Sequence, residues 1–600
     1  MEYIESRLSC GKLFLSACVR KEVRPDLNNT MSRFTQRTIL LAAILVLIVD
    51  IFGLYVPAKF GTCWLVIPDA LENAFCADNF LQEGKYGFYL NGVFHPSRYL
   101  PWFPLLFLAP FQALTGDLYG AVYGCWFAAA GLATVMFLSC WQTTVRPGPA
   151  GGRDIARGAL AGVLTFPVLL LSSFFIALTG YAMTEVPYLL FCVWAMILWT
   201  RLAVRPGVDT VSLVWCAVLI ALGGSVRSSA YPMLLLPYIL IFMREKDWKK
   251  RFLLWGLAAL PTAIVLLASN IFNWAVFGSP FRTGYHFWCP VPYDFMTLTF
   301  HPRYAARYLP RLVSEKGFWL TMALLAVCAA WFFASRKAGK EKLWSLPRWN
   351  AWEASMTFAL LQSAVIFVLY IFYFFYDKRM YLPILVMVLP PAASAAANFL
   401  RMHLRRGVAN WILAGAAVLL QAAVLSNLND YHKAIRTIPD DRAKLETLNS
   451  MLPGDAVLLS SFNPAVADRF LLRGTDRRII PVNRIHEYAD KIAAPQKVKA
   501  CDPPPRCAED NLAPGLLKQP GCYLPFPYAL SDGPSRLDEI LKQHVPVYFV
   551  TGTNRLAPAE IRATFEFADP EIMGQRNGII VWRLRRKAHS EENDASTDGK

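Results

Sequence analysis

The chain has 600 residues, of which 55% are hydrophobic and only 17% are charged, and its mean hydropathy is +0.34. A soluble protein of this size would carry about a quarter charged residues, so the composition excludes an ordinary soluble globular protein. The net charge of +17 does not indicate a nucleic-acid partner, because the positive residues cluster between apolar runs, where they orient membrane helices. We expect a polytopic α-helical membrane protein, since a β-barrel would show short alternating segments.

The first residues, 1–37, are polar and basic, and they predict a cytoplasmic N-terminal extension without a cleaved signal peptide. Within this extension, Met31 begins a stretch that is typical of a natural start. The membrane domain is predicted over 38–426. Its eleven candidate spans are 38–57, 118–141, 157–178, 185–203, 211–226, 230–243, 252–274, 317–335, 354–376, 380–399 and 408–426.

Lys- and Arg-rich links between the spans predict the topology. They are 146–157, 201–206, 244–251, 335–348 and 401–407. If these links are cytoplasmic, the N-terminus is inside. The outward regions are then 58–98, 179–185, 227–229, 275–316, 377–379 and everything after 427. Residues 99–116 are short and contain three prolines, which favours a re-entrant or interfacial element; a twelfth crossing is the alternative. We therefore expect about 11–13 transmembrane helices.

The character of the chain changes after the last span. Residues 427–585 alternate between helix-like and strand-like patterns, which predicts a small extracytoplasmic α/β domain. Strands are expected at 455–462, 477–482, 545–552 and 578–585. A disulfide between Cys501 and Cys507 fits an oxidising compartment, and Cys63 with Cys76 is a second candidate pair. The tail, 586–600, is polar, and we expect it to be disordered.

The first outward loop, 58–98, carries two acids. Pro68 and Asp69 are typical of a helix start, and Asp69 and Glu72 then share one helical face opposite apolar residues. One interpretation is a capped interfacial helix with solvated charges. The other is an acid pair that belongs to a site.

Further charges fall on the same predicted side of the membrane. Glu185 begins a span, Arg227 lies between two short apolar runs, and Arg282 lies in a long loop. Asp377 and Arg379 interrupt a long apolar stretch. Charges at membrane depth are expensive and usually face a cavity or a partner. Glu185 could instead be an acid that interacts favourably with the helix dipole at a helix start, and Asp377 with Arg379 could be a structural ion pair.

Several segments, in their order and predicted sidedness, carry a resemblance. They are PDALENAFCADNFL, RYLPWFPLLFLAPFQALTG, GYAMTEVPYLLF, LGGSVRSSAYPMLLLP, FGSPFRTGY and DKRMYLPILVMVLP. With them, residues 38–400 resemble the GT-C superfamily of integral-membrane glycosyltransferases. The most similar branch contains protein O-mannosyltransferases and lipid A aminoarabinose transferases. The expected architecture is thus a GT-C membrane domain followed by the C-terminal α/β domain.

The resemblance implies a function. Such enzymes move a sugar from a polyprenyl-phosphate carrier to an acceptor outside the cytoplasm. It implies that Asp69 is the catalytic base and that Glu185 is a second catalytic acid. Many relatives have adjacent acids, whereas this chain has Ala70 after Asp69. Substrate contacts are expected at Glu72, His95, Arg98, Tyr99, Arg227, Arg282, Asp377, Arg379 and Tyr381.

One carboxylate suffices for a single inverting displacement, whereas a covalent double displacement needs two functional groups. The resemblance leaves open a divalent metal, Mg²⁺ or Mn²⁺, and the acceptor: lipid A, another envelope glycan or a protein. It implies a bacterial inner membrane with a periplasmic C-terminal domain. A flippase of a lipid-linked sugar and an inactive membrane scaffold are the alternatives. The C-terminal domain could bind the acceptor or simply stabilise the fold, and the oligomeric state is not predicted.

Overall fold

The structure is a computed structural model, and it describes most of the membrane domain and the central sheet of the C-terminal domain. The described residues are 27–60, 68–90, 93–97, 99–144, 155–281, 302–339, 349–373, 377–404, 406–437, 441–460, 468–481, 541, 546–551, 568–576 and 579–586. Cys63, Cys501 and Cys507 lie outside them, as do Arg98, Arg282 and the 586–600 tail apart from Arg586.

Long helices form the membrane domain. They are α1 (Leu27–Phe60), α4 (Ala121–Thr144), α8 (Glu185–Val204), α9 (Thr210–Val226), α11 (Trp248–Phe277), α13 (Lys316–Gly339), α14 (Ala351–Ile371), α15 (Leu382–His403) and α16 (Arg406–Thr437). Within the described residues, eight segments are long and apolar enough to cross a membrane, and a bent helix pair makes nine. The chain is therefore an integral membrane protein, which confirms the predicted polytopic helical class.

The candidate span 157–178 consists of three short helices rather than one continuous helix. They are α5 (Ile155–Val163), α6 (Phe166–Leu170) and α7 (Ser173–Gly180), and the chain bends by 85° before α7. Pro167 lacks the N–H that would continue the helical ladder, and the Ser172 hydroxyl accepts a hydrogen bond from the Phe175 amide to start α7. Local backbone chemistry thus overrides the continuous hydropathy.

A second predicted span, 230–243, is also divided. It consists of a 3₁₀ helix (Ser228–Leu234) followed by α10 (Leu235–Arg244). Two further helices, α12 (Pro302–Ser314) and α17 (Asp441–Met451), lie outside the long spans. The expected count of 11–13 spans therefore exceeds the eight or nine found in the described residues, because short and broken helices contribute several of the apolar runs.

One end of the bundle is covered by the first loop, and we call it the α2 end. Helix α2 (Pro68–Glu83) is followed by strands β1 (Gly87–Leu90) and β2 (Val93–Pro96), which pair antiparallel. A π-helical turn (Pro104–Leu108) and α3 (Ala109–Thr115) come next. Together they cover 12 residues, or about 18 Å of helix, against a hydrocarbon core of about 30 Å. This element is too short to cross as a straight helix.

The short element packs tightly against its neighbours. The Gln112 side-chain amide donates to the carbonyl of Ala74 at 2.8 Å and to that of Leu118 at 3.1 Å. A Cβ atom at Gly124 would overlap the carbonyl oxygen of Phe107, so α4 touches the π-helical turn backbone to backbone. The Trp102 indole also donates to the Ser269 hydroxyl at 2.9 Å. These contacts fix the position of the π-helical turn and α3 beneath α2.

The C-terminal domain contains α17 and a five-stranded sheet of order β4-β3-β5-β7-β6. Strands β3, β4 and β5 are parallel, whereas β7 is antiparallel to both β5 and β6. The four predicted strands correspond to β3 (Val457–Ser460), β4 (Arg478–Pro481), β5 (Val547–Thr551) and β7 (Ile579–Arg586). Strand β6 (Ala568–Arg576) is an addition, and the Asn577-Gly578 dipeptide before β7 is its sequence signal.

The C-terminal domain contacts the far half of α2. Arg469 forms an ion pair with Asp78 at 2.9 Å, and Arg473 donates to the Asn79 amide oxygen at 3.1 Å. The Phe470 ring lies edge-on against Phe75, with 5.7 Å between the ring centroids. Burial raises the pKa of the Asp78 carboxyl, and the nearby Arg469 offsets part of that rise. The helix that begins at Pro68 is therefore held by both domains.

Candidate functional site

Glu185 is the first residue of α8, and it is fully buried. The sequence TEVP explains why a helix starts here: Pro187 lies in the first turn, where its missing N–H costs no helical hydrogen bond. The N-terminal position also favours an acid, because the helix dipole is positive at this end. The preceding corner, 181–184, turns the chain from α7 into α8 at the α2 end.

Arg227 follows the last residue of α9 and reaches across to this corner. Its guanidinium Nη2 lies 2.5 Å from Glu185 Oε1, and its Nε donates to the Thr184 hydroxyl at 3.0 Å. The backbone amide of Arg227 caps α9 by donating to the Gly223 carbonyl at 2.8 Å. At Gly224 a Cβ atom would overlap the Tyr231 ring. The glycine therefore lets the 3₁₀ helix fold back and leaves the arginine aimed at Glu185.

Arg379 reaches the same carboxylate from the turn Lys378–Met380. Its Nε lies 2.9 Å from Asp377 Oδ2 and 3.8 Å from Glu185 Oε1, and its backbone amide donates to Asp377 Oδ1 at 3.0 Å. Glu185 Oε1 therefore faces two guanidinium groups. Its other oxygen, Oε2, is buried and has no hydrogen-bond partner among the residues that the structure describes.

Glu72 lies in a second polar cluster, on α2. It is buried, and its Oε1 accepts a hydrogen bond from the Ser97 hydroxyl at 2.9 Å. The backbone amide of Tyr99 donates to the same hydroxyl at 3.2 Å. The next residue, Asn73, donates through its side chain to the carbonyl of Ala182 at 3.1 Å. This bond joins α2 to the corner that carries Glu185, so both clusters lie at the α2 end.

Three other predicted site residues, Asp69, His95 and Tyr381, lie on α2, on β2 and beside α15. Asp69 is the second residue of α2, and its side chain is outside the described part of the chain. His95 is in β2 opposite Phe88, again without a described side chain. Tyr381 is buried next to the start of α15, with its ring centroid 6.5 Å from that of Tyr370. The predicted roles of all these residues stay predictions.

Sequence reasoning missed three partners of these side chains. Thr184 accepts from Arg227, Ser97 donates to Glu72, and the Tyr370 hydroxyl accepts from Arg227 Nη1 at 3.5 Å. Thr184 directly precedes Glu185, which was a usable signal. Tyr370 lies in an aromatic-rich run on α14, where nothing in the sequence distinguishes it from neighbouring rings.

The two arginines and two carboxylates of the Glu185 cluster have balanced formal charges. Guanidinium groups carry five N–H donors each, so one can engage a carboxylate and a phosphate together. The described residues contain no group of three or more His, Cys, Asp or Glu side chains that could hold a metal ion. The cluster therefore offers cationic donors for an anionic headgroup beside a buried acid.

Comparisons with known proteins agree with this architecture. No family model matches the chain, and no curated protein matches it in sequence. Among solved structures, ArnT from Cupriavidus metallidurans bound to undecaprenyl phosphate aligns over 90% of this chain and 97% of its own, with a TM-score of 0.52 and 14% identity. The apo state of the same protein aligns over 92% and 98%, with a TM-score of 0.51 and 12% identity.

A third structure is more distant. The archaeal oligosaccharyltransferase AglB from Archaeoglobus fulgidus, in complex with an inhibitory peptide and a dolichol-phosphate, aligns over 87% of this chain and 70% of its own. Its TM-score is 0.46 at 14% identity. The two ArnT structures align over nearly the whole chain, so the chain has the fold of ArnT.

Proposed function

We propose that the chain transfers a glycosyl group from a polyprenyl-phosphate donor to an acceptor at the α2 end of the membrane domain. One observation carries the proposal: Arg227 and Arg379 converge on the buried Glu185 at the end of the bundle that also carries α2 with Asp69. The fold supports it, and ArnT, which shares that fold, is bound to undecaprenyl phosphate.

In the proposed step, the Asp69 carboxylate accepts the proton of the acceptor's hydroxyl or amine. The acceptor atom attacks the anomeric carbon while the bond from that carbon to the phosphate oxygen breaks, which inverts the configuration. The phosphate leaves with the electron pair of that bond. Arg227 and Arg379 neutralise its charge, and planar guanidinium groups suit a phosphate because they donate two parallel hydrogen bonds.

Glu185 has a supporting role in this proposal. It holds both arginines at the corner, and its buried Oε2, which has no hydrogen-bond partner among the described residues, would accept a hydrogen bond from a donor hydroxyl that reached it. We further propose that the α2 end faces the periplasm of a bacterial inner membrane, as the basic links indicate. Mg²⁺ or Mn²⁺ binding stays a proposal, and a chelator titration of activity tests it.

An Asp69→Asn variant tests the function. Purified protein is reconstituted with a panel of radiolabelled undecaprenyl-phosphate sugars, and label is counted in envelope lipid, glycan and protein fractions. We expect wild-type protein to transfer label and the variant to lose at least about a hundredfold in rate, since a general base contributes about 10²–10⁴-fold. Asp117→Asn, which alters an exposed acid at the same end, is the control. Transfer that persists in Asp69→Asn contradicts the role of Asp69, and sugar transport without any transfer favours a flippase.

A further inference from the structure

A groove of about 980 Å³ runs along the membrane-facing side of the bundle between α4 and α8. Its apolar walls include Phe127, Leu138 and Trp194, whose side chains are about half exposed although they lie in membrane-spanning helices. Gly131 lies in the floor, where a Cβ atom would come within 3.1 Å of the Leu190 side chain. Because glycine has no side chain, the groove is deeper at this point and has room for hydrocarbon chains.

The groove has one polar end. Arg201 and Arg205, both exposed, line it there, Arg201 in the last turn of α8 and Arg205 directly after the helix. Arg205 pairs with Asp209, whereas Arg201 has no ion-pair partner in the described part of the chain. Gln142 lies at the same end: its side-chain nitrogen donates to the Ile197 carbonyl at 3.4 Å. Its oxygen Oε1 is buried, and no described residue donates a hydrogen bond to it.

This end is remote from the Glu185 cluster. Along α8, 16 residues separate Glu185 from Arg201, which corresponds to about 24 Å of helix. That distance approaches the thickness of the hydrocarbon core, about 30 Å, so the two basic sites lie at opposite faces of the membrane. The groove is therefore distinct from the proposed donor site.

We propose that this groove binds one anionic phospholipid, with its phosphate at Arg201 and Arg205 and its acyl chains along α4 and α8. Basic pockets between transmembrane helices suit anionic headgroups, and a headgroup hydroxyl that reached the buried amide oxygen of Gln142 would donate a hydrogen bond to it. Phosphatidylglycerol supplies both a negative phosphodiester and hydroxyl donors. Phosphatidylcholine has the same phosphate but no net charge and no headgroup donor.

Native mass spectrometry of the full-length protein tests the proposal. The protein is incubated in mild detergent with equal amounts of dioleoyl phosphatidylglycerol and dioleoyl phosphatidylcholine, and the retained lipid is counted. We expect phosphatidylglycerol to be retained preferentially. The double variant Arg201→Gln/Arg205→Gln should lower its retention about tenfold. Arg37→Gln/Arg401→Gln removes two charges at the same end outside the groove and should have no such effect.

A second variant keeps the arginines and fills the groove. Thr134 is an exposed groove residue on α4, and Thr134→Phe should exclude acyl chains and lower retention to a similar degree. Three results would each overturn the proposal. The first is equal retention of the two lipids, and the second is an equal loss in the groove and control variants. The third is displacement of phosphatidylglycerol by undecaprenyl phosphate at equal concentration. Because the readout is retained lipid rather than sugar transfer, its outcome is independent of the proposed function.

Discussion

Arg227 Nη2 lies 2.5 Å from Glu185 Oε1, although 42 residues separate the two along the chain. Both side chains sit at helix ends, Glu185 at the start of α8 and Arg227 just after α9, so the pair joins two helices at the α2 end. A buried carboxylate needs such a partner, since an isolated charge in a low-dielectric interior is expensive. The pair can therefore serve the fold, the chemistry or both, and a mutant cycle separates these roles.

The first prediction concerns this pair. Arg227→Gln should lower the free energy of unfolding by about 3–5 kcal/mol, because it removes the nearer cation from a buried carboxylate. The double variant Glu185→Gln/Arg227→Gln should recover most of that stability but no transfer activity. Thermal unfolding and the transfer assay measure the two effects. Arg585→Gln, which breaks an exposed ion pair with Glu571, should cost less than about 1 kcal/mol. If activity returned together with stability in the double variant, the pair would be purely structural.

The second prediction concerns Asp377, which orients Arg379. Asp377→Asn should change stability by about 1 kcal/mol or less, because the pair is partly exposed. The KM for the polyprenyl-phosphate donor should nevertheless rise and kcat should fall, lowering kcat/KM about tenfold, since Arg379 loses its fixed orientation toward the phosphate in the bound donor and as it leaves. Initial rates over a range of donor concentrations give both constants. Glu245→Gln, in an ion pair with Lys250 at the opposite end, is the matched control. An unchanged kcat/KM would leave Asp377 and Arg379 as a structural ion pair.

The third prediction concerns pH and Asp78, at the contact between α2 and the C-terminal domain. Burial raises its pKa above the usual 3.8, so the protonated form favours folding. The stabilising contribution of protonated Asp78 is complete below about pH 4, and it is lost as the pH rises through the raised pKa of the folded protein. Asp78→Asn imitates the protonated acid, so its Tm should exceed that of the wild type at neutral pH, and the difference should vanish below about pH 4.

Differential scanning fluorimetry of the reconstituted protein between pH 3.5 and 8 measures this difference. Asp455→Asn changes an exposed acid of the same domain and should leave Tm unchanged across that range. A lower Tm for Asp78→Asn at neutral pH would mean that attraction to Arg469 outweighs the cost of burial.

The fourth prediction concerns two glycines in membrane helices. Gly124→Ala should destabilise the protein by several kcal/mol, because the new methyl group would overlap the Phe107 carbonyl and push away the turn beneath α2. Gly256 on α11 has open space around it, so Gly256→Ala should be neutral or stabilise the helix by up to about 1 kcal/mol. Thermal unfolding in the same detergent compares them. Similar melting temperatures for the two variants would contradict the close packing of α4.

The sequence by itself determined the class of protein and much of the C-terminal sheet. Apolar runs of bilayer length have few alternatives to membrane helices, because an unpaired backbone polar group in hydrocarbon is costly. In the C-terminal domain, alternating helix-like and strand-like patterns predicted β3, β4, β5 and β7. The sequence did not predict the breaks inside the candidate span 157–178, where hydropathy suggests one continuous helix, whereas Pro167 and the Ser172 cap divide the segment into short helices.

Only the tertiary structure decided which charges meet. The sequence marked Glu185, Arg227, Asp377 and Arg379 as expensive charges near helix ends, and burial of such groups demands partners. It could not say that Arg227 and Arg379 share one carboxylate oxygen while Glu72 instead binds Ser97. Those pairings depend on how the helices pack and where the chain bends, and these are set by side-chain shape and small residues such as Gly224 rather than by hydropathy.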